Sequence, residues 1–235
     1  MGCIRFVIDL NIFDVFGRHT YQHTLTEMEP VLEGIACCDA KIGPHGHIMA
    51  CLMGELRVLD SKAGGTISGI SFKGYQIYSI QYYKDTVVLA LAEEGGRSRQ
   101  NHVVILGEDY QEQQRWPTIR GIDLVVIDDK VHISAAEREE IAVYEWPAGR
   151  RLPAIIEGNG SNTGMAYFHP SSIVVLDEDY DLVQKYKINK KKFSIAWTRK
   201  VKKPWATGTD ENGLIWIRSN KNNSDCIKII TQTGK

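Results

Sequence analysis

Most of the features that mark a disulfide-framed, membrane-bound or catalytic chain are missing from these 235 residues. The five cysteines (Cys3, Cys37, Cys38, Cys51 and Cys226) are odd in number and form neither a CxxC pair nor a regular framework. In a chain of this length that excludes a disulfide scaffold and favours buried thiols in a reducing compartment. Nothing reads as a signal peptide, and no apolar run approaches the roughly 20 residues of a membrane span. "MGCIRF" opens like a myristoylation signal, but Phe6 stands where Ser or Thr is required. The triplets at Asn159 and Asn222 mean little for glycosylation without a secretory signal. The expectation is a cytoplasmic protein.

Neither sign of charge dominates. A formal net charge of -1 gives no overall attraction to DNA or to an anionic membrane, so any nucleic-acid binding needs a local patch. GxSxG, HExxH and P-loop patterns are absent, and with them the commonest hydrolase, zinc-protease and nucleotide signatures. No segment keeps a 3.6-residue apolar stripe over three turns, which excludes a helical bundle.

What is present is strand chemistry. Short β-branched runs such as "TVVLALAE" (86–93), "HVVIL" (102–106), "DLVVID" (123–128), "SSIVVL" (171–176) and "GLIWIR" (213–218) alternate with Gly, Asp, Asn and Pro clusters. They repeat. Hairpin-like units start at 4, 48, 86, 131, 173 and 214, which places them 38 to 45 residues apart. A period near 40 with several strands per unit is the mark of a β-propeller.

Around five of the hairpins lies an inner strand a: "GIACCDAKIGPHG", "IYSIQYYKD", "DLVVIDD", "MAYFHP" and "WATGTDENG". Four are followed by an outer strand d: "GGTISGISF", "QRWPTI", "RLPAII" and "KFSIAWT". The sequence therefore predicts an all-β chain, residues 1–235 as one propeller of about six four-stranded blades, incomplete at its closing seam. A fragment of a longer parent would look like this.

The last unit, "KKPWATGTDENGLIWIRSNKNNSDCIKIITQTGK", resembles an NHL-type blade, and residues 34–64 repeat the pattern with "GELRVLD" as the third strand. The chain is similar at its two ends to the NHL-repeat propeller at the C-terminus of tripartite-motif ubiquitin ligases. The middle units depart from that pattern, with no Asn-rich turn in "AEREEIAVYEW" and an enlarged "EEGGRSRQNH". The resemblance implies a platform that binds protein targets, or RNA in some members. No RING or B-box zinc pattern is present, so no ligase activity is expected of this chain.

Candidate chemistry is sparse. "LDEDYDLV" (176–183) sets Asp177, Asp179 and Asp181 at calcium-loop spacing, but Leu182 and Ile188 occupy the positions that need Gly and Glu. It reads as a turn between strands b and c. His45 and His47 of "PHGH" have no third ligand, and Cys37 and Cys38 read as small apolar residues of an inner strand. No cofactor and no metal is expected. One enzyme class survives, the calcium-dependent lactone or ester hydrolases built on six-bladed propellers. Its acids would come from Asp39, Asp85, Asp128 and Asp210, which follow successive strand-a segments.

The clearest charge feature is "KYKINKKKFSIAWTRKVKKPW" (185–205), basic and interleaved with aromatics. Blade geometry splits it. Lys190, Lys191 and Lys192 fall in a c–d loop, whereas Arg199, Lys200, Lys202 and Lys203 fall by a d–a connection, at the opposite end of strand d. The d–a and b–c loops share a face. Candidate partner-binding residues there are Arg97, Arg99, Arg138, Tyr180, Arg199, Lys200, Lys202, Lys203 and Lys221. Glu93, Glu94, Glu137, Glu139 and the "DEDYD" acids share it, and a mixed-charge face suits a protein or peptide better than a phosphate backbone. The expected function is non-catalytic recognition of such a partner. RNA binding and a calcium-assisted hydrolase are the alternatives.

Overall fold

The β-branched runs fold as strands and the turn clusters as the loops between them. The computed structural model describes residues 10–13, 20–23, 39–62, 65–94, 101–119, 121–135, 140–157, 162–168, 172–189, 192–209, 213–221, 224–231 and 233–234. The chain divides into two compact units, residues 1–36 and 37–235. In the first, β1 (Leu10–Phe13) pairs antiparallel with β2 (Thr20–His23).

The second unit holds five antiparallel sheets in chain order. Blade 1 is β3 (Asp39–Ile42), β4 (Ile48–Leu52), β5 (Glu55–Leu59) and β6 (Thr66–Ser71). Blade 2 is β7 (Tyr75–Tyr83), β8 (Thr86–Glu93), β9 (Asn101–Leu106) and β10 (Glu112–Thr118). Blade 3 is β11 (Gly121–Ile127), β12 (Lys130–Ala135), β13 (Glu140–Glu145) and β14 (Arg151–Glu157). Blade 4 is β15 (Asn162–Phe168), β16 (Ser172–Asp177), β17 (Leu182–Asn189) and β18 (Lys192–Lys200). Blade 5 has three strands among the described residues, β19 (Pro204–Thr209), β20 (Ile215–Lys221) and β21 (Ser224–Ile230). The inner strands pack in the series β3, β7, β11, β15, β19.

The propeller is the expected architecture, with five blades in place of about six. The hairpins expected at 48, 86, 131, 173 and 214 each lie within one residue of an observed strand start. The stretch from Ile4 does not supply a sixth blade. Among the described residues it contributes only to a two-stranded pair, and no sixth four-stranded sheet is formed. Most of it lies outside the described residues; what is described in that unit is the short β1–β2 pair.

The core is four apolar layers, one between each pair of adjacent blades. Val87, Leu89 and Leu91 of β8 face blade 1, while Val88 and Ala90 face blade 3. Ile173 and Val175 of β16 face blade 3, and Val174 and Leu176 face blade 5. A strand sandwiched between two blades buries both faces. That is why "TVVLALAE" and "SIVVLD" read as continuous apolar runs with no alternation. Each fully buried aliphatic side chain contributes roughly 1.5–3 kcal/mol.

Two of the turns between strands a and b are two-residue hairpins with both central residues in the left-handed region. These are Lys84–Asp85 (φ 45° and 59°) and Asp128–Asp129 (φ 49° and 57°). That geometry matches the strand twist and explains the Asp preference.

His132 is a titratable side chain set into a core layer. His132 is 1 % exposed and its ring meets Phe193 edge-on at 5.7 Å, between blades 3 and 4. Burial pulls its pKa from 6.5 down to about 4. The unfolded chain therefore takes up this proton first as pH falls, and stability is lost between about pH 6.5 and about pH 4. Replacing His132 by Leu is expected to flatten this acid limb. In urea unfolding, the difference in stability between wild type and variant should shift by roughly 2 kcal/mol from neutral pH to about pH 4.5.

Candidate functional site

The loop face holds one recurring contact, in which two of the d–a loops are clamped to the b–c turns on either side. In blade 1, Phe72 N–H donates to the Gly54 carbonyl (2.8 Å), and Glu94 N–H of blade 2 donates to the Gly74 carbonyl (2.9 Å). Gly54 and Gly74 are both left-handed, with φ of 76° and 80°. Between blades 4 and 5 the same clamp recurs with charged residues. Val201 N–H donates to the Asp181 carbonyl (2.8 Å), and Asn220 N–H donates to the Lys203 carbonyl (3.2 Å). Asp181 (φ 58°) stands where the first clamp has Gly54, and Lys203 (φ 42°) where it has Gly74. A third bond is added, from Lys203 N–H to Asp181 Oδ1 at 2.7 Å.

This explains the acidic stretch. Asp177 accepts from Tyr180 N–H (3.0 Å) inside the turn and is itself buried, and Asp181 fastens the neighbouring loop. Among the described residues no group of His, Cys, Asp or Glu side chains is arranged to hold a metal ion. Tyr180 projects from the turn with 56 % of its surface exposed.

The expected basic cluster is partly assembled. Lys200, Lys202 and Lys203 are exposed beside the Asp181 turn. Lys221 ends β20, one residue from Asn220, so its backbone lies next to Lys203. Arg199 is committed elsewhere, since its guanidinium donates to the carbonyls of Gly234 and Thr198. Arg97, Arg99 and Arg138 lie outside the described residues, as do Glu137, Glu139, Lys190 and Lys191. Lys192 pairs with Asn189 and Lys200 with Leu182, at opposite ends of a nine-residue strand. The linear basic run is thus divided between two faces.

A second polar constellation runs through the inner strands, where the sequence reading did not place one. Inner strands β7, β11, β15 and β19 each carry a register shift, between Ile77 and Ser79, Gly121 and Asp123, Asn162 and Gly164, and Pro204 and Ala206. The residues after the bulges of β7 and β11, Ser79 and Asp123, face the next blade. Asp39 accepts from Ile80 N–H (3.1 Å) and Asp123 from Met165 N–H (2.8 Å), while Leu124 N–H is shared between Asp123 Oδ1 (2.8 Å) and Ser79 Oγ of the blade before (3.4 Å). Ser79 Oγ donates to Asp123 Oδ1 (2.5 Å) and lies 3.4 Å from Asp39 Oδ2, and Lys41 Nζ lies 3.2 Å from Asp39 Oδ1. At the fourth step the series reaches Gly164, which has no side chain to accept with.

Burial raises Asp123 first and neighbouring Asp39 second, to about 6, against the opposing pull of the Met165 N–H and the Ser79 hydroxyl. Burial pulls Lys41 down, but the Asp39 and Asp123 carboxylates outweigh it and leave the ammonium raised.

The channel acids therefore differ from those expected. Asp39 opens β3 and does not follow it, so it lies at the other end of the inner strand from Asp85 and Asp128, which sit in their turns. Asp210 is outside the described residues. The partner of Asp39 is Asp123. A carboxylate inside the otherwise apolar "DLVVID" strand was the available signal.

The remaining candidates have structural contacts. His47 Nδ1 is 3.0 Å from the Tyr110 hydroxyl, and His45 meets His47 edge-on at 5.6 Å. Trp116 is buried against Tyr144, whereas Trp146, edge-on to Tyr83, and Trp197, against the blade 4–5 layer, are half-buried. Cys51 is buried, and Cys37 and Cys38 are outside the described residues.

No protein-family model matches the chain, and no curated protein matches it. Its likeness is to solved structures. One is the crystal structure of a protein of unknown function from Bacteroides caccae. It has a TM-score of 0.69 and 11 % identity, with 88 % of this chain and 82 % of that chain covered. The class is thereby established as a β-propeller of five blades. At such identity the likeness speaks of fold alone.

The ladder gives a pH test. Asp123 has a folded pKa above that of the unfolded chain, so its contribution is fully present below about pH 3.8 and is lost as pH rises through about 6. Asp123→Asn keeps an acceptor for Met165 and removes the buried charge. The melting temperature of the variant relative to wild type should rise from about pH 4 to about pH 7.5. A difference that is flat across that range would rule out this role for Asp123.

Proposed function

We propose that the chain is a non-catalytic recognition module of a cytoplasmic protein, binding a protein or peptide through the d–a and b–c loop face. The observation that carries this reading is the clamp between blades 4 and 5. A left-handed conformation costs a non-glycine residue roughly 1–2 kcal/mol, and the first clamp avoids that cost with Gly54 and Gly74. Asp181 and Lys203 accept it and carry charge to the rim beside exposed Tyr180. Strain held where a glycine would relieve it points to use of the side chain. Acid, base and an aromatic side by side suit a polypeptide with mixed side chains better than a run of phosphates.

The NHL-like blade pattern at residues 34–64 and in the last unit supports a finer version, in which the module selects substrates for a ubiquitin-ligase-type protein. RNA binding through Lys200, Lys202, Lys203 and Lys221 is the second reading. It rests on the basic half of the same rim.

Lys203→Gly separates stability from binding. It should stabilise the fold by about 1 kcal/mol, because glycine adopts the φ of 42° without penalty. It should also weaken peptides selected on the wild-type protein by about tenfold or more in calorimetry. Unchanged affinity in this variant and in Lys202→Glu/Lys203→Glu would refute the loop-face reading. A mobility shift with single-stranded RNA, falling steeply with salt and absent in the double variant, would favour the second reading. Heat on calcium titration would revive the hydrolase.

A further inference from the structure

Outer strands are where a blade presents an open sheet edge, and folds usually guard such edges with charge or proline. Three of the four outer strands here are guarded. β10 carries Glu112, Arg115 and Pro117, β14 carries Arg151, Pro153 and Glu157, and β18 carries Lys192, Arg199 and Lys200. β6 reads "TISGIS", with no charge and no proline. Its one irregularity is a register shift against β5 near its start, between Val58 and Leu59. Among the described residues β5 is its only strand neighbour.

The unguarded edge borders a groove of about 490 Å³ between blades 1 and 2. That volume lies within the range of about 300–1,000 Å³ usual for ligand sites. Ser68, Gly69, Ile70 and Ser71 all line it. Successive side chains of a strand point to opposite faces, so four consecutive lining residues mean that the groove follows the backbone edge.

The register tells which backbone groups face the groove. Phe72 N–H bonds the Gly54 carbonyl, and hydrogen-bonded pairs alternate from there. Ser71 opposite Glu55 and Gly69 opposite Arg57 fall at the intervening positions. Their N–H and C=O groups therefore point away from β5, into the groove. Both residues are exposed and small, so a second backbone can approach closely. Across the groove, Arg115 is held bidentate by Glu112 (3.0 and 2.7 Å) and lies 5.5 Å from the Tyr75 ring. Lys73, just beyond the end of β6, lines the groove and has no ion pair among the described residues.

We propose that the β6 edge accepts an extended strand from a partner protein, added to blade 1 as a fifth strand. The occupant pairs with the outward groups of Gly69 and Ser71. It is uncharged and β-branched along its length, and it bears a carboxylate at the end beside Lys73. This surface is the outer edge of blade 1 and meets the loop face only at Lys73, so methylation of the peptide backbone tests the edge separately from the loop-face reading.

The probe is a fluorescein-labelled peptide of about six residues, alternating Thr and Val and ending in Glu, matched to the length of β6. Saturable binding by fluorescence anisotropy is expected. Methylating alternate backbone amides of the peptide should weaken it about tenfold or more, because the ladder bonds are lost while the side chains remain. Replacing the terminal Glu by Lys should also weaken it. Ser71→Pro removes only an outward N–H and should have the same effect as methylation, with wild-type melting and unchanged loop-face binding. The methylated peptides test the wild-type protein directly, so the result stands whether or not the proline variant folds. No saturable binding, or binding indifferent to methylation, would overturn the proposal. So would a wild-type dimer in sedimentation that Ser71→Pro dissociates, because the occupant would then be a second copy of the chain.

Discussion

The arrangement of the blades depends on one repeated bond, the backbone N–H of an inner strand given to a side chain of the blade before it. Asp39, Ser79 and Asp123 receive it in turn. Apolar layers press neighbouring blades together, but they are non-directional and tolerate sliding. The inner-strand bonds are directional and need both the bulge and the residue after it in place. They fix the register of blade 2 against blade 1, of blade 3 against blade 2 and of blade 4 against blade 3. The loop clamps at Gly54–Gly74 and Asp181–Lys203 recur with different residues.

Much of the scaffold was legible because its signals are local. Two-sided burial wrote "TVVLALAE" as an uninterrupted apolar run, and tight hairpins wrote Asp and Gly between runs. The blade number was less legible, because a hairpin alone resembles a blade. Residues 48–71 follow a strand a and end in a strand d, whereas the described part of the stretch after Ile4 is one strand of a two-stranded pair. The Asp39–Ser79–Asp123 ladder was not legible. Bulges shift register without any marker residue, since Tyr78, Ile122, Thr163 and Trp205 share no chemistry. Asp39 reads as following strand a for a related reason: β3 is short, and nothing in "CCDAKIGPHG" fixes where pairing begins.

The rim shows how one framework carries different chemistry at equivalent points. Glycines make the blade 1–2 clamp silent, whereas an Asp–Lys pair makes the blade 4–5 clamp charged. The outer strands differ in a parallel way. Proline or charge closes three edges to further pairing, and "TISGIS" leaves one open. Function, on this view, is written in departures of single repeats from the pattern that the others keep.

Gly164 is such a departure inside the channel. With nearest-neighbour coupling along a repeat array, each joint has its own strength. Gly164 offers β19 no side-chain acceptor, and among the described residues the joint between blades 4 and 5 has its apolar layer, the rim clamp and a bond from Thr209 Oγ1 to the Tyr167 carbonyl. The series of blades is therefore joined by unlike means, with directional inner-strand bonds at its first three joints and packing with rim contacts at the last.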